Sequence, residues 1–212
     1  MTTQKRRSSA RPSGRTPSKP PRPPVRLRII GGQFRGQKLR YSGDMRVRPM
    51  KDRLREAVFN LIGPAVTGKH AIDLFAGTGA LGLEALSRGA ARATLIEQHF
   101  PTAAIIRENV TTLGTQQLTE IVTADVFAWF RGRPQLGAAP WVVFSSPPYD
   151  FYVDRTDQML DLIGGLMRLA PANSIFVVES DGRFDFRLLP DAEAWDVRSY
   201  PPAVVGIRRM AS

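Results

Sequence analysis

The sequence predicts an α/β fold, a Rossmann-like doubly wound sheet of seven strands with the last strand antiparallel, preceded by a small N-terminal β-hairpin and helix. Three observations carry this expectation. Short apolar runs alternate with stretches of helical apolar spacing over most of the chain. One run, Ala71-Ile-Asp-Leu-Phe-Ala-Gly-Thr-Gly-Ala80, leads into a small-residue turn and then Leu81, Leu83, Ala85 and Leu86, which reads as strand, glycine loop, helix. Only the turn Tyr200-Pro-Pro202 separates the last two runs, and it leaves no room for a crossover helix, so the final strand should return antiparallel.

Residues 1–24 are rich in Ser, Pro and Arg without periodic apolar positions, the composition of a disordered basic tail. Residues 25–62 form an extension. In it Val25, Leu27 and Ile29 alternate with Arg26, Arg28 and Ile30, and Gly31-Gly32 precedes Gln33 to Leu39, as in a hairpin. Pro49 then breaks the chain, and apolar residues at 54, 57, 58, 61 and 62 make a helical stripe over Asp52 to Ile62. Lys51, Arg53 and Arg55 fall on the opposite face, where they would meet solvent or phosphate. Residues 63–212 carry the sheet. Strands are expected near 70–74, 92–96, 119–123, 141–145, 174–179, 195–199 and 203–208, and helices near 79–88, 100–112, 125–131 and 154–169.

Composition narrows the class. The 212 residues are 42% hydrophobic, enough for one good-sized core. The chain has no cysteine and two histidines, His70 and His99, which argues against disulfides and any metal site. No apolar run approaches membrane-spanning length and the basic N-terminus lacks a secretory apolar core, so a cytoplasmic, metal-free protein, monomeric and away from membranes, is expected. The net charge of +11 divides into +9 for residues 1–28, +5 for 29–56 and −3 for the remainder. A mildly acidic body with a basic N-terminal part points to polyanion binding through that part. The candidate phosphate contacts are Arg35, Lys38, Arg40, Arg46, Arg48, Lys51 and Arg53.

Four polar residues each follow a separate apolar strand: Asp73, Glu97, Asp125 and Ser146. The topology would gather them at the carboxyl edge of the sheet, where such folds bind ligands. Gly77-Thr-Gly79-Ala-Leu-Gly82 formally matches a dinucleotide fingerprint. An acid at the strand end, however, suits a zwitterionic sulfonium ligand better than a pyrophosphate. Phe144-Ser-Ser-Pro-Pro-Tyr-Asp150 places a rigid loop with a stacking ring directly after a strand, an arrangement that holds a flat substrate.

Residues 73–90, together with Arg28-Ile-Ile-Gly-Gly-Gln-Phe-Arg-Gly36 and Arg48-Pro-Met-Lys-Asp-Arg-Leu-Arg-Glu-Ala-Val-Phe-Asn-Leu61, resemble the RsmD-type 16S rRNA guanine-N2 methyltransferases. The resemblance runs from about Arg28 to the C-terminus and implies an S-adenosyl-L-methionine-dependent enzyme acting on the exocyclic amine of a guanine, on 16S rRNA within a small-subunit assembly intermediate. Asp73 and the loop residues Phe75, Ala76, Gly77 and Gly79 would hold the methionine portion, Glu97 the ribose hydroxyls and Asp125 the adenine amino group. Asp125 would serve equally as a helix N-cap. Ser146, Pro147, Pro148 and Tyr149 would form the acceptor loop, with Ser146 standing where the family usually carries Asp or Asn. A DNA amino-methyltransferase uses a similar loop, but the chain shows no large target-recognition segment. A protein-glutamine methyltransferase is disfavoured by the basic extension. A noncatalytic RNA-binding module is the alternative of a different kind.

Deleting residues 1–24 is expected to weaken RNA binding mainly at low salt, because the lost contacts would be counterion-releasing ones. Filter binding across a salt series checks this, and identical curves for the full and truncated proteins would refute it.

Overall fold

The computed structural model describes residues 27–41, 43 and 50–212. The expected tail, Arg46 and Arg48 lie outside the described residues. Helix α1 (Asp52–Ile62) is followed by β1 (His70–Asp73), α2 (Ala80–Ser87), β2 (Arg92–Ile96), α3 (Phe100–Leu113) and β3 (Thr119–Val122). Then come α4 (Val126–Arg131), β4 (Trp141–Ser145), α5 (Phe151–Asp154), α6 (Thr156–Leu169), β5 (Ile175–Asp181), β6 (Trp195–Tyr200) and β7 (Ala203–Arg209). The strands form one seven-stranded sheet in the order β3-β2-β1-β4-β5-β7-β6. Strands β1 to β5 pair in parallel, and β7 lies antiparallel between β5 and β6, as the sequence predicts for the final strand. After β5 the helical crossovers stop, and two 3-10 turns, Phe186–Leu188 and Ala192–Ala194, lead to β6.

Alternation along the strands splits the core between the two faces of the sheet. Val142, Phe144, Ile175 and Val177 join Leu83, Leu86, Ile106 and Val110 on one face. Trp141, Val143, Phe176 and Val178 join Leu162, Ile163 and Leu166 of α6 on the other. The strand order reverses between β1 and β4, the switch point at which the loops of such sheets diverge to leave a crevice.

The described part of the extension folds back on itself as the small antiparallel element that the sequence predicts. Among the described residues a single antiparallel bridge joins Arg28 and Lys38, flanked by Ile29 N–H donating to Gln37 O and Leu39 N–H to Leu27 O, both at 2.9 Å. The ladder ends because the chain turns onto α2. Gln33 N–H donates to Ser87 O at 2.8 Å and Phe34 N–H to Ser87 Oγ at 3.0 Å. Gly32 makes this possible: its φ is +76°, and a Cβ there would sit 1.8 Å from Ser87 O.

Helix α1 is rotated relative to its apolar stripe. The residues it buries are Arg55, Val58, Phe59 and Ile62, with Phe59 packed on Phe144 at 5.5 Å between ring centroids. Arg55, which the sequence places on the exposed face, is 0% exposed. Its guanidinium donates to Arg28 O at 2.6 Å, Met50 O at 3.1 Å and Asp52 Oδ1 at 3.1 Å. Arg55 Nε lies 3.7 Å from Glu84 Oε2. Burial pulls the Arg55 pKa down, and the charges of Glu84 and Asp52 oppose that pull. Glu84, also 0% exposed, accepts from Ile30 N–H, Gly31 N–H and Arg88 Nε, each at 2.8 Å.

Glu84→Ala is expected to cost about 3–5 kcal/mol, because it strands a buried guanidinium and two backbone donors. Urea denaturation at neutral pH measures this, and a loss below about 1 kcal/mol would show that the cluster does not hold the extension.

Candidate functional site at the carboxyl edge of the sheet

The loop after β1 grows out of the sheet through two further ladder bonds. Leu74 N–H donates to Phe144 O at 3.0 Å, and Ala76 N–H to Ile96 O at 2.9 Å. Gly77 and Gly79 then take φ of +53° and +79°, turning the chain tightly into α2. Gly82 lets that helix lie close on β2, since a Cβ there would meet Leu95 at 2.2 Å. Asp73 sits beneath the turn and is 1% exposed. Its Oδ2 accepts from Gly82 N–H at 3.3 Å, while buried Oδ1 has no hydrogen-bond partner. Burial, opposed by the backbone N–H groups of Gly82 and Phe75 and reinforced by the nearby Glu97 charge, pushes the Asp73 pKa up to about 7. An orphaned carboxylate oxygen beside an open glycine turn fits a ligand that brings an ammonium group.

Glu97 closes the other side of the turn. Its Oε2 accepts from Gly77 N–H at 2.9 Å and its Oε1 from His99 N–H at 2.7 Å, and burial raises its pKa. The carboxylate thus orders the glycine loop and the start of α3 at once. Each oxygen keeps acceptor capacity for a hydroxyl. Asp125 is the N-cap of α4, with Oδ1 accepting from Ala128 N–H at 2.9 Å. That capping accounts for its place in the structure.

Phe75 connects this loop to the next one. It meets Phe127 of α4 edge-on at 6.4 Å and Phe151 of α5 at 5.8 Å, and Phe127 stacks on Phe151 at 6.3 Å. Arg155 lies over Phe127 and Phe151 at 5.0 and 4.9 Å. The sequence reading assigned a role to Phe75 alone of these four residues.

The second loop follows β4, whose Phe144 pairs with Asp73, so the glycine and proline loops leave adjacent strand ends. Ser145 Oγ is hydrogen-bonded to Tyr152 OH at 2.9 Å, and burial pushes the Tyr152 phenol up. Phe151 N–H donates to Pro148 O at 2.9 Å and Tyr152 N–H to Tyr149 O at 3.1 Å, folding the loop into α5. Pro147 is buried and Pro148 exposed, with Ser146 and Tyr149 half-buried beside them. Both hydroxyls are held by one carboxylate: Ser146 Oγ donates to Glu179 Oε2, and Tyr149 OH to Glu179 Oε1 at 2.7 Å. Arg183 ties the rim by pairing with Asp150 and Asp181, each at 2.9 Å.

Glu179 is the functional candidate that sequence reasoning missed. A signal existed, because Glu179 follows the apolar run Ile175 to Val178 just as Glu97 follows Ala93 to Ile96. Among the candidate phosphate contacts, Arg35, Lys38, Arg40, Lys51 and Arg53 are exposed on the extension. Arg40 pairs with Glu108, and its N–H donates to Asn109 at 2.7 Å.

The model of a family described as Conserved hypothetical protein 95 matches residues 27–199. The chain is 41% identical over 123 residues to ribosomal RNA small subunit methyltransferase D of Escherichia coli K12, a match covering 58% of this chain and 60% of that protein. The protein of the same name in Haemophilus influenzae is 33% identical over 156 residues, covering 73% of this chain and 79% of that one. The solved Escherichia coli structure named "Putative methyltransferase yhhF" superposes with a TM-score of 0.72 at 30% identity, covering 88% of this chain and 98% of that chain.

Asp73 sets a pH dependence of stability. With a folded pKa near 7 against the ordinary 3.8, its contribution is fully present below about pH 4 and is lost as pH rises from there through about 7, by up to about 4 kcal/mol. His70, whose pKa burial lowers from 6.5 to about 4, acts oppositely and costs stability as pH falls from about 6.5 to 4. The difference between the wild type and Asp73→Asn isolates the carboxylate. Denaturant titrations of the ligand-free proteins should show the variant gaining on the wild type between about pH 4 and 7, and parallel curves would exclude the effect.

Proposed function

The chain belongs to the RsmD-type family, the one described as Conserved hypothetical protein 95, and on that premise we propose that it is an S-adenosyl-L-methionine-dependent methyltransferase acting on the exocyclic N2 amine of a guanine in 16S rRNA. The observation that carries this reading is the pairing of Asp73 with Phe144, which sets a glycine loop flanked by one buried and one half-buried carboxyl group beside a proline loop furnished with hydrogen-bond acceptors. The rRNA methyltransferase names of the Escherichia coli and Haemophilus influenzae relatives support it.

In this reading the unpartnered Oδ1 of Asp73 receives the cofactor ammonium group, and the backbone of Phe75, Ala76, Gly77 and Gly79 lines the methionine portion. Glu97 accepts from the ribose hydroxyls while it holds the glycine loop. Asp125 meets the adenine amino group through the oxygen that does not cap α4. S-adenosylmethionine supplies, when bound, a sulfonium methyl whose displacement by the amine nitrogen leaves a thioether and releases one amine proton. The chain needs no covalent nucleophile; alignment of the nitrogen with the methyl carbon and sulfur can supply roughly 7–11 kcal/mol.

Guanine N2 has its lone pair delocalised into the ring. Acceptance of its N–H by Ser146 Oγ and by carbonyls of the Pro147-Pro148 turn rotates that lone pair toward the methyl group. Tyr149 stacks on the unstacked base. The cations Arg35, Lys38, Arg40, Arg46, Arg48, Lys51 and Arg53 of residues 25–62, with the tail 1–24, grip phosphates, and residues 63–212 carry the chemistry. A cytoplasmic monomer acting on a small-subunit assembly intermediate completes the proposal.

Mass mapping of ribosomal RNA from cells lacking the protein tests it. One N2-methylguanine should vanish and return with the wild-type gene. Tyr149→Ala should methylate about 5–150-fold more slowly, the rate equivalent of about 1–3 kcal/mol of stacking. An unaltered methylation map would refute the assignment.

A further inference from the structure

The proline loop carries no charged side chain between residues 146 and 149; its carboxylate arrives from the neighbouring strand. Val178 pairs with Ser145, so the next residues along, Glu179 and Ser146, stand side by side where the two strands open at the carboxyl edge. Glu179 is 5% exposed. It spends one oxygen on each loop hydroxyl, Oε2 on Ser146 and Oε1 on Tyr149. Burying a carboxylate is costly unless its oxygens are hydrogen-bonded, and these two bonds meet that requirement while fixing both hydroxyl protons.

The direction of those bonds decides what the loop can recognise. A serine hydroxyl has one proton and two lone pairs. With the proton of Ser146 given to Glu179, only lone pairs remain to face a substrate, and the tyrosine hydroxyl is likewise committed. The bond to a carboxylate also pushes electron density onto Ser146 Oγ and strengthens it as an acceptor. We infer that Glu179 is the charge of the acceptor site, a positioning residue that acts through Ser146 and Tyr149 and makes the pocket selective for a nitrogen that donates N–H, an exocyclic amine, over a ring nitrogen or a hydroxyl lacking a second proton to give. This deepens the proposed function and rests on its placement of the acceptor at the proline loop.

Three proteins test it: the wild type, Glu179→Gln, and Glu179→Gln combined with Ser146→Asp. Each is assayed for methyl transfer to small-subunit RNA with nucleoside digestion of the product, alongside calorimetry with S-adenosylmethionine and thermal melting. Glu179→Gln should lower kcat about 10–100-fold, with the KM for RNA and the cofactor affinity within about threefold of the wild type. Adding Ser146→Asp returns a carboxylate to the loop and should recover at least about fivefold of that loss. A purely structural Glu179 would instead lower the melting temperature and both affinities, and Ser146→Asp would rescue nothing. Should Glu179→Gln not fold, the packing-conservative pair Ser146→Ala with Tyr149→Phe uncouples the same carboxylate and should show the same fall in kcat. An unchanged kcat in either variant overturns the inference. The product separates this outcome from failure of the proposed function: methyl on an adenine or cytosine amine refutes the guanine assignment yet supports amine selectivity, whereas methyl on a ring nitrogen or a ribose hydroxyl overturns the inference itself.

Discussion

The carboxylate of Glu84 joins what would otherwise be separate parts of the molecule. It lies in α2, the helix launched by the glycine loop, and it accepts from the backbone of Ile30 and Gly31 and from Arg88 while facing the guanidinium of Arg55. One helix therefore closes the glycine turn at its start and anchors the N-terminal extension along its body. Desolvating such a pair is offset only where hydrogen bonds satisfy its groups, and here they reach every part of the guanidinium but Nε. Here the bonds run to backbone groups of the extension, so the pair specifies where the extension docks.

The same economy recurs at the carboxyl edge. Glu97 holds both the glycine turn and the start of α3. Glu179 holds both hydroxyls of the proline loop. Phe75, Phe127 and Phe151 pack together from the loop after β1, from α4 and from α5. Apart from the local bond of Glu97 to His99, these contacts join segments distant in sequence, so the two loops are pre-arranged relative to one another before any ligand arrives. Such preorganisation is what an in-line displacement demands, because misalignment of reacting atoms is costly. Asp73 keeps one buried oxygen without a hydrogen-bond partner, the acceptor that the proposed reading gives to a ligand ammonium group.

Charge is partitioned with similar consistency. Arg55 is consumed by the core, whereas Arg35, Lys38, Arg40, Lys51 and Arg53 remain exposed on the extension that Glu84 and Arg55 anchor. In the proposed reading, a basic surface anchored to the sheet by buried contacts can set the register of a polyanion against the carboxyl edge.

The seven strands, the antiparallel return of the last one and the polar residues at the strand ends were legible in the sequence, because apolar period and strand-to-loop transitions are local properties. Asp73, Glu97 and Ser146 could be named from their positions after apolar runs. Tertiary structure decided the rest. The rotation of α1 that buries Arg55 depended on a carboxylate 29 residues further on in α2, which no helical periodicity records. The backbone at the hairpin turn, Gln33 and Phe34, bonds to Ser87 of α2, a partner that no local pattern names. Glu179 could be matched to Ser146 only once β5 was known to lie beside β4 in register, since pairing between strands is a nonlocal choice and sequence order alone does not supply it.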